Sequence, residues 1–152
     1  MLIRVMFHGV DESDWLSRSC YFFAKLARLN MGGLSHCSVQ VGERIYELTL
    51  DGVTVVSYVD QVTPRECRRS IEWSIDELES LLIFTRVLQL MMVDYRLNLL
   101  DLIRVCLRLK PKGLTCTGFV ECILCLPVRN DTPLNTYIRL TDDTVQGTRE
   151  LS

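Results

Sequence analysis

The chain has 152 residues, 48% hydrophobic and 24% charged, with a net charge of −2 and a pI near 5.7. That composition suits one domain with an ordinary core, spanning 1–152, and argues against a nucleic-acid-binding surface as its main purpose. An odd count of seven cysteines, behind a start "MLIRVMF" with no signal-length apolar region, predicts free thiols and a cytoplasmic protein rather than a disulfide scaffold.

The first predicted element is a strand, "LIRVMFHG" (2–9), ending at Gly9. "DESDW" offers a cap at Asp11 or Ser13 for a helix over 15–29, which "NMGG" (30–33) stops. "SHCSVQV" (35–41), the tight turn "GE" and "RIYELTL" (44–50) read as a hairpin. "DG" (51–52) then leads to "VTVVSYV" (53–59), which completes a three-stranded antiparallel meander.

Beyond Pro64 the pattern turns helical. "SIDE" (74–77) reads as a capping box, Ser74 with Glu77, opening a helix to about Met92. Its apolar run over 78–93 is interrupted by Glu79, Arg86 and Gln89, so no transmembrane segment is expected. "NLLDLIRVCLRL" (98–109) predicts the next helix, stopped by "KPKG", and "TCTGFVECILCL" (115–126) a third, ended by Pro127. The tail, 128–152, reads as a polar C-terminal extension with one short strand at "TYIRL" (136–140). The order gives an α+β fold with a small antiparallel sheet packed against helices.

Two places carry chemistry. In the hairpin, a two-residue turn at "GE" makes paired residue numbers sum to 85. His36 and Glu47 then become diagonal neighbours on the more polar face, while Cys37, Val39, Val41, Tyr46 and Leu48 share the other. A carboxylate beside an imidazole fixes its tautomer and stabilises its cation. In the third helix, Cys116 falls in or beside the first turn, where unpaired N–H groups and the helix dipole favour a thiolate. Gly118 allows close approach of another chain or a substrate. Cys122 and Cys125 form a lone CxxC in an apolar run without a second pair or nearby histidine, so they read as buried helix body. Cys20, Cys37, Cys67 and Cys106 read as structural. Tyr46 and Tyr95 could line a cleft, but a core or rim position is commoner for tyrosine.

"TCTGFV" resembles the D-C-S-G-F-V nucleophile motif of NlpC-type papain-like cysteine hydrolases, with Thr115 in place of the aspartate. "GLSHCSVQVGERIYEL" resembles the S-H-v-x-i-x-x-G-x-x-x-x-E stretch of their circularly permuted branch, in which the histidine hairpin precedes the cysteine helix. That branch includes lecithin:retinol acyltransferase-like enzymes and small phage and bacterial hydrolases. The resemblance spans residues 2 to 126 in order of elements. It implies a permuted papain-like fold with a central cysteine-bearing helix, Cys116 as nucleophile, His36 as base and Glu47 as the third polar residue. It implies a thiol hydrolase of the amidase or peptidase kind, or an acyltransferase, acting on a peptide, amide or acyl substrate without a cofactor or metal. For a viral member it implies the host cytoplasm. A non-catalytic copy of the fold that binds or inhibits a host protein is the alternative, and a redox or zinc protein built on Cys122 and Cys125 is another.

Overall fold

A computed structural model describes residues 1–11, 13–57 and 66–150, with 143–150 described by backbone alone. The described residues form an α+β fold with a five-stranded antiparallel sheet and five helices. The strands are β1 (Leu2–Gly9), β2 (Leu34–Val41), β3 (Arg44–Thr49), β4 (Gly52–Ser57) and β5 (Cys67–Ser74), in the spatial order β4-β3-β2-β1-β5. The helices are α1 (Trp15–Leu26), α2 (Glu77–Met92), α3 (Leu99–Cys106), α4 (Cys116–Ile123) and α5 (Pro133–Glu150).

The meander forms in the expected register. Val41 pairs with Arg44, Gln40 with Ile45 and Val39 with Tyr46. Gly42 takes φ +58 in the turn, where a side chain would be strained. The second turn falls on Leu50 and Asp51, because Gly52 already pairs with Thr49 and opens β4. The expected strand end at Tyr58 and Val59 lies outside the described residues, as does Pro64.

Strand β5 is absent from the sequence-based expectation, which passed over 66–73. It pairs along β1 from Leu2↔Ser74 to His8↔Cys67. Only Ile71 and Trp73 pack on the core, so its apolar signal is two residues long. Arg68, Arg69 and Glu72 stand among its other positions, and charge on an edge strand discourages pairing with another chain.

Two N-terminal caps, two helix ends and one further element differ from expectation. Helix α1 is capped by Asp14, whose carboxylate accepts from the Leu16 N–H, rather than by Asp11 or Ser13, and it ends at Leu26 instead of Leu29. The capping box of α2 is Asp76 with Glu79, because Ser74 is still in β5. Helix α4 stops at Ile123, and Cys125 follows it at φ +64, exposed, so the helix ends three residues before the expected Leu126. The tail is not a turn-rich extension with a strand at 136–140. It forms helix α5, whose Leu134 and Leu140 enter the same core as Val39, Phe119 and Ile123.

The core lies between the sheet and α4. Cys37, Val39, Val41, Tyr46 and Leu48 point to it from β2 and β3, and Phe119, Val120 and Ile123 meet them. The other face of the hairpin is also shielded: His8, His36, Ser38 and Ile45 are buried there.

Candidate active site

Cys116 is the first residue of α4. Thr115 is its N-cap, and its hydroxyl accepts from the Gly118 N–H while also meeting the Thr117 hydroxyl at 2.8 Å. Asn130 locks this start. Its Oδ1 accepts from the Thr115 N–H at 2.8 Å and from the Thr115 hydroxyl at 3.1 Å. Gly118 is the close-approach position, but the group that approaches is Asn130: a Cβ at 118 would stand 1.8 Å from its Oδ1. Upstream, Asp101 holds the turn leading to the thiol by accepting from the N–H groups of Lys112 and Gly113 at 2.8 and 2.9 Å.

The hairpin supplies the histidine. His36 Nε2 lies 3.0 Å from Glu47 Oε2, as the diagonal register allows. The strand bulges here, because His8 pairs with His36 but Gly9 pairs with Leu34, leaving Ser35 without an opposite residue. Bulges re-aim side chains beside functional sites. The His36 ring also acts on the Cys116 thiol through a side-chain hydrogen bond and through its charge. The structure thus brings Cys116, His36 and Glu47 together.

Three contacts act on the Cys116 proton. The Cys37 thiol donates a hydrogen bond, the His36 ring adds a hydrogen bond and charge, and the Cys37 N–H donates as well. Together they outweigh burial and hold the Cys116 thiol well below its ordinary value. Cys37 moves the other way: burial first, then its partner's sulfur, push it well up, so it remains the donor. Sequence reading took Cys37 as structural. Alternation places it on the core face, and only packing of α4 on that face reveals its contact with Cys116. His8 was also missed. It sits opposite His36, with ring centroids 5.8 Å apart, and its Nε2 meets the Ser38 hydroxyl at 2.7 Å.

A cavity of about 230 Å³ opens on the thiol. Its polar side holds His36, Cys116, Thr117 and Ser35, and its apolar side Leu16, Leu48, Leu97 and Leu102. Cys20 also lines it, but burial, with Cys106 and Cys116 nearby, pushes that thiol up to about 12. Tyr46 and Tyr95 do not line it. Tyr46 is in the core, and the Tyr95 hydroxyl accepts from the Leu114 N–H. As the first residues of α4, Cys116 and Thr117 have N–H groups with no carbonyl one turn back, so they are available to a developing oxyanion.

All seven cysteines are free thiols. Cys122 and Cys125 do not meet a histidine, and among the described residues no cluster of His, Cys, Asp or Glu is arranged to hold a metal ion. Cys125 instead lies against the Arg86 guanidinium. No described helix is long and apolar enough to cross a membrane. In comparisons with known proteins, no family model, no curated protein and no solved structure matches this chain.

Proposed function

We propose that the protein is a thiol hydrolase of the amidase or peptidase kind, built on a permuted papain-like fold, with Cys116, His36 and Glu47 as its triad. The observation that carries this reading is the meeting of a helix-start thiol with a carboxylate-paired imidazole at a cavity. Nucleophile, base and orienting group stand in hydrogen-bonded sequence, which is the arrangement covalent acyl chemistry needs.

The Cys116 thiolate attacks a carbonyl carbon, forming a C–S bond while the carbonyl electrons move to oxygen. The N–H groups at the start of α4 stabilise that oxyanion. As the carbonyl re-forms, the bond to the amine or alcohol breaks, and the leaving group takes the proton from the His36 imidazolium. Water then gives a proton to His36 and attacks the thioester, releasing the acid and the thiolate. Glu47 keeps the ring oriented and favours its cationic form throughout. An alcohol or amine in place of that water turns the same cycle into acyl transfer.

Iodoacetamide labelling tests the thiol. At about pH 6, well below an ordinary thiol's pKa of roughly 8.5, Cys116 should alkylate ahead of the exposed Cys67 and Cys125. His36→Ala should remove that advantage, and it should lower turnover of an acyl probe by about 10²–10⁴-fold. Equal labelling of Cys116 and Cys125 at that pH, unchanged by His36→Ala, would defeat the proposal.

A further inference from the structure

Helix α1 turns Leu16 and Phe23 inward with Ser17, Cys20 and Ala24, yet leaves large apolar side chains outside: Trp15, Phe22 and Leu26 are 59, 62 and 70% exposed. Steps of seven and four residues put those three side chains on one stripe of the helix. Arg18 and Lys25 flank it, and no acidic residue occurs between 15 and 28. Helix α3 repeats the pattern: it buries Asp101 and Cys106 and exposes Leu100 and Leu107, with Leu109 exposed just beyond its end.

The two helices pack side by side, with the Cys106 thiol donating to the Cys20 carbonyl at 3.5 Å. Past their C-terminal ends, Arg28, Arg108, Lys110 and Arg129 line one shallow depression. Asp131 is the carboxylate in that lining, and it faces Arg139 at 4.0 Å. Asp101, the acid of the α3 segment, is buried and engaged by Arg104 and two N–H groups. Among the described residues, no carboxylate is within ion-pair distance of Arg28, Lys25, Arg108 or Lys110. A chain of net charge −2 has therefore gathered unpaired cations beside its exposed bulky apolar stripe.

Cations around an apolar stripe suit one occupant best. A second copy of this face would bring like charges together, and nucleic acid would set phosphates against leucine and phenylalanine. We propose that the α1–α3 face docks on an anionic lipid bilayer. Trp15, Phe22, Leu26, Leu100 and Leu107 enter the boundary between headgroups and acyl chains, and the cations meet lipid phosphates. The other exposed apolar run, on α2, carries Glu77 and Glu79 in its first turn and lacks this charge pattern. The same two helices wall the cavity over Cys116, so the docked face adjoins the thiol. Docking stands apart from the catalytic reading and holds or fails without it.

Co-sedimentation of the full chain with vesicles tests this. The protein should pellet with phosphatidylcholine–phosphatidylglycerol vesicles, release as salt rises, and stay in solution with phosphatidylcholine alone. Lys25→Gln and Arg108→Gln should each weaken partitioning about fivefold. Phe22→Ser with Leu26→Ser should abolish it, while Leu81→Ser on α2 leaves it unchanged. All these side chains are exposed, and a thermal melt of each variant confirms folding. In a Trp73→Phe background, brominated lipid should quench Trp15. Failure to pellet with the anionic vesicles overturns the proposal, as does undiminished binding by the Phe22/Leu26 variant. Tighter binding to duplex DNA that vesicles cannot displace, or a vesicle-free dimer dispersed by Phe22→Ser, overturns it equally.

Discussion

Cys116 and Cys37 share a proton environment that neither has alone. Cys37 is fully enclosed, so its thiol stays protonated and donates, while Cys116 accepts from it and from His36. The consequence is measurable as a pH profile. Alkylation of Cys116 follows its thiolate fraction, so its midpoint should lie well below the ordinary thiol value. Cys37→Ala deletes the largest of the lowering contacts and should move that midpoint upward, slowing alkylation most at acidic pH and least at alkaline pH. A profile unchanged by Cys37→Ala would leave His36 and the helix start as the sole activators. At this scale the sequence was half legible. His36 and Glu47 could be matched because a two-residue turn fixes every pair in a hairpin. Cys37 could not, because its contact depends on which helix covers which face.

The turn between α3 and α4 sets the entry to the thiol, and Asp101 holds that turn. Burial pushes its carboxyl up, but the Lys112 N–H, the Arg104 side chain, the Gly113 N–H and the Arg104 charge outweigh burial and leave it lowered. A carboxyl lowered in the folded state stabilises the fold above its unfolded pKa, near 3.9, and loses that contribution as pH falls through the folded value. Asp101→Asn should therefore cost about 1.5–3 kcal/mol at neutral pH, as hydrogen bonds to a charged acceptor are replaced. The gap to wild type should close as denaturation is repeated below about pH 4. A gap that stays constant down to that pH would mean the carboxylate charge is not what holds the turn. The elements that escaped sequence reading did so for nameable reasons. Strand β5 draws its order from pairing with β1, not from its own two apolar residues. Helix α5 did carry a signal: Thr132 accepts from the Asn135 N–H, and Pro133 stands at the first helical position. The polar outer face of that helix hid the inward spacing of Leu134, Tyr137 and Leu140.

The molecule is closed by a charge at its centre. Glu121 stands in the apolar body of α4 and is wholly buried. Its Oε2 accepts from the N–H groups of Arg129 and Asn130 at 2.6 and 3.1 Å, and its Oε1 pairs with Arg139 on α5. One side chain thus joins the cysteine helix, the loop carrying Asn130, and the C-terminal helix. Reading it as one more residue of an apolar helix left out that a buried carboxylate needs partners, and those partners lie in the tail. Glu121→Ala leaves the Arg139 guanidinium with only the more distant Asp131, at 4.0 Å, and two N–H groups without their acceptor, and a buried pair broken in this way costs about 3–5 kcal/mol. That is a large part of the 5–15 kcal/mol typical of a folded domain, so the urea midpoint should fall steeply. Replacing both partners, Glu121→Leu with Arg139→Leu, removes the stranded charge and should recover much of the loss. Glu121→Gln should fall between them, because its amide oxygen can still accept from the loop. If the double variant is no more stable than Glu121→Ala, the ion pair is not what the single substitution breaks. The loop contacts at Arg129 and Asn130 would then carry the coupling, and α5 would be held by the packing of Leu134, Tyr137 and Leu140.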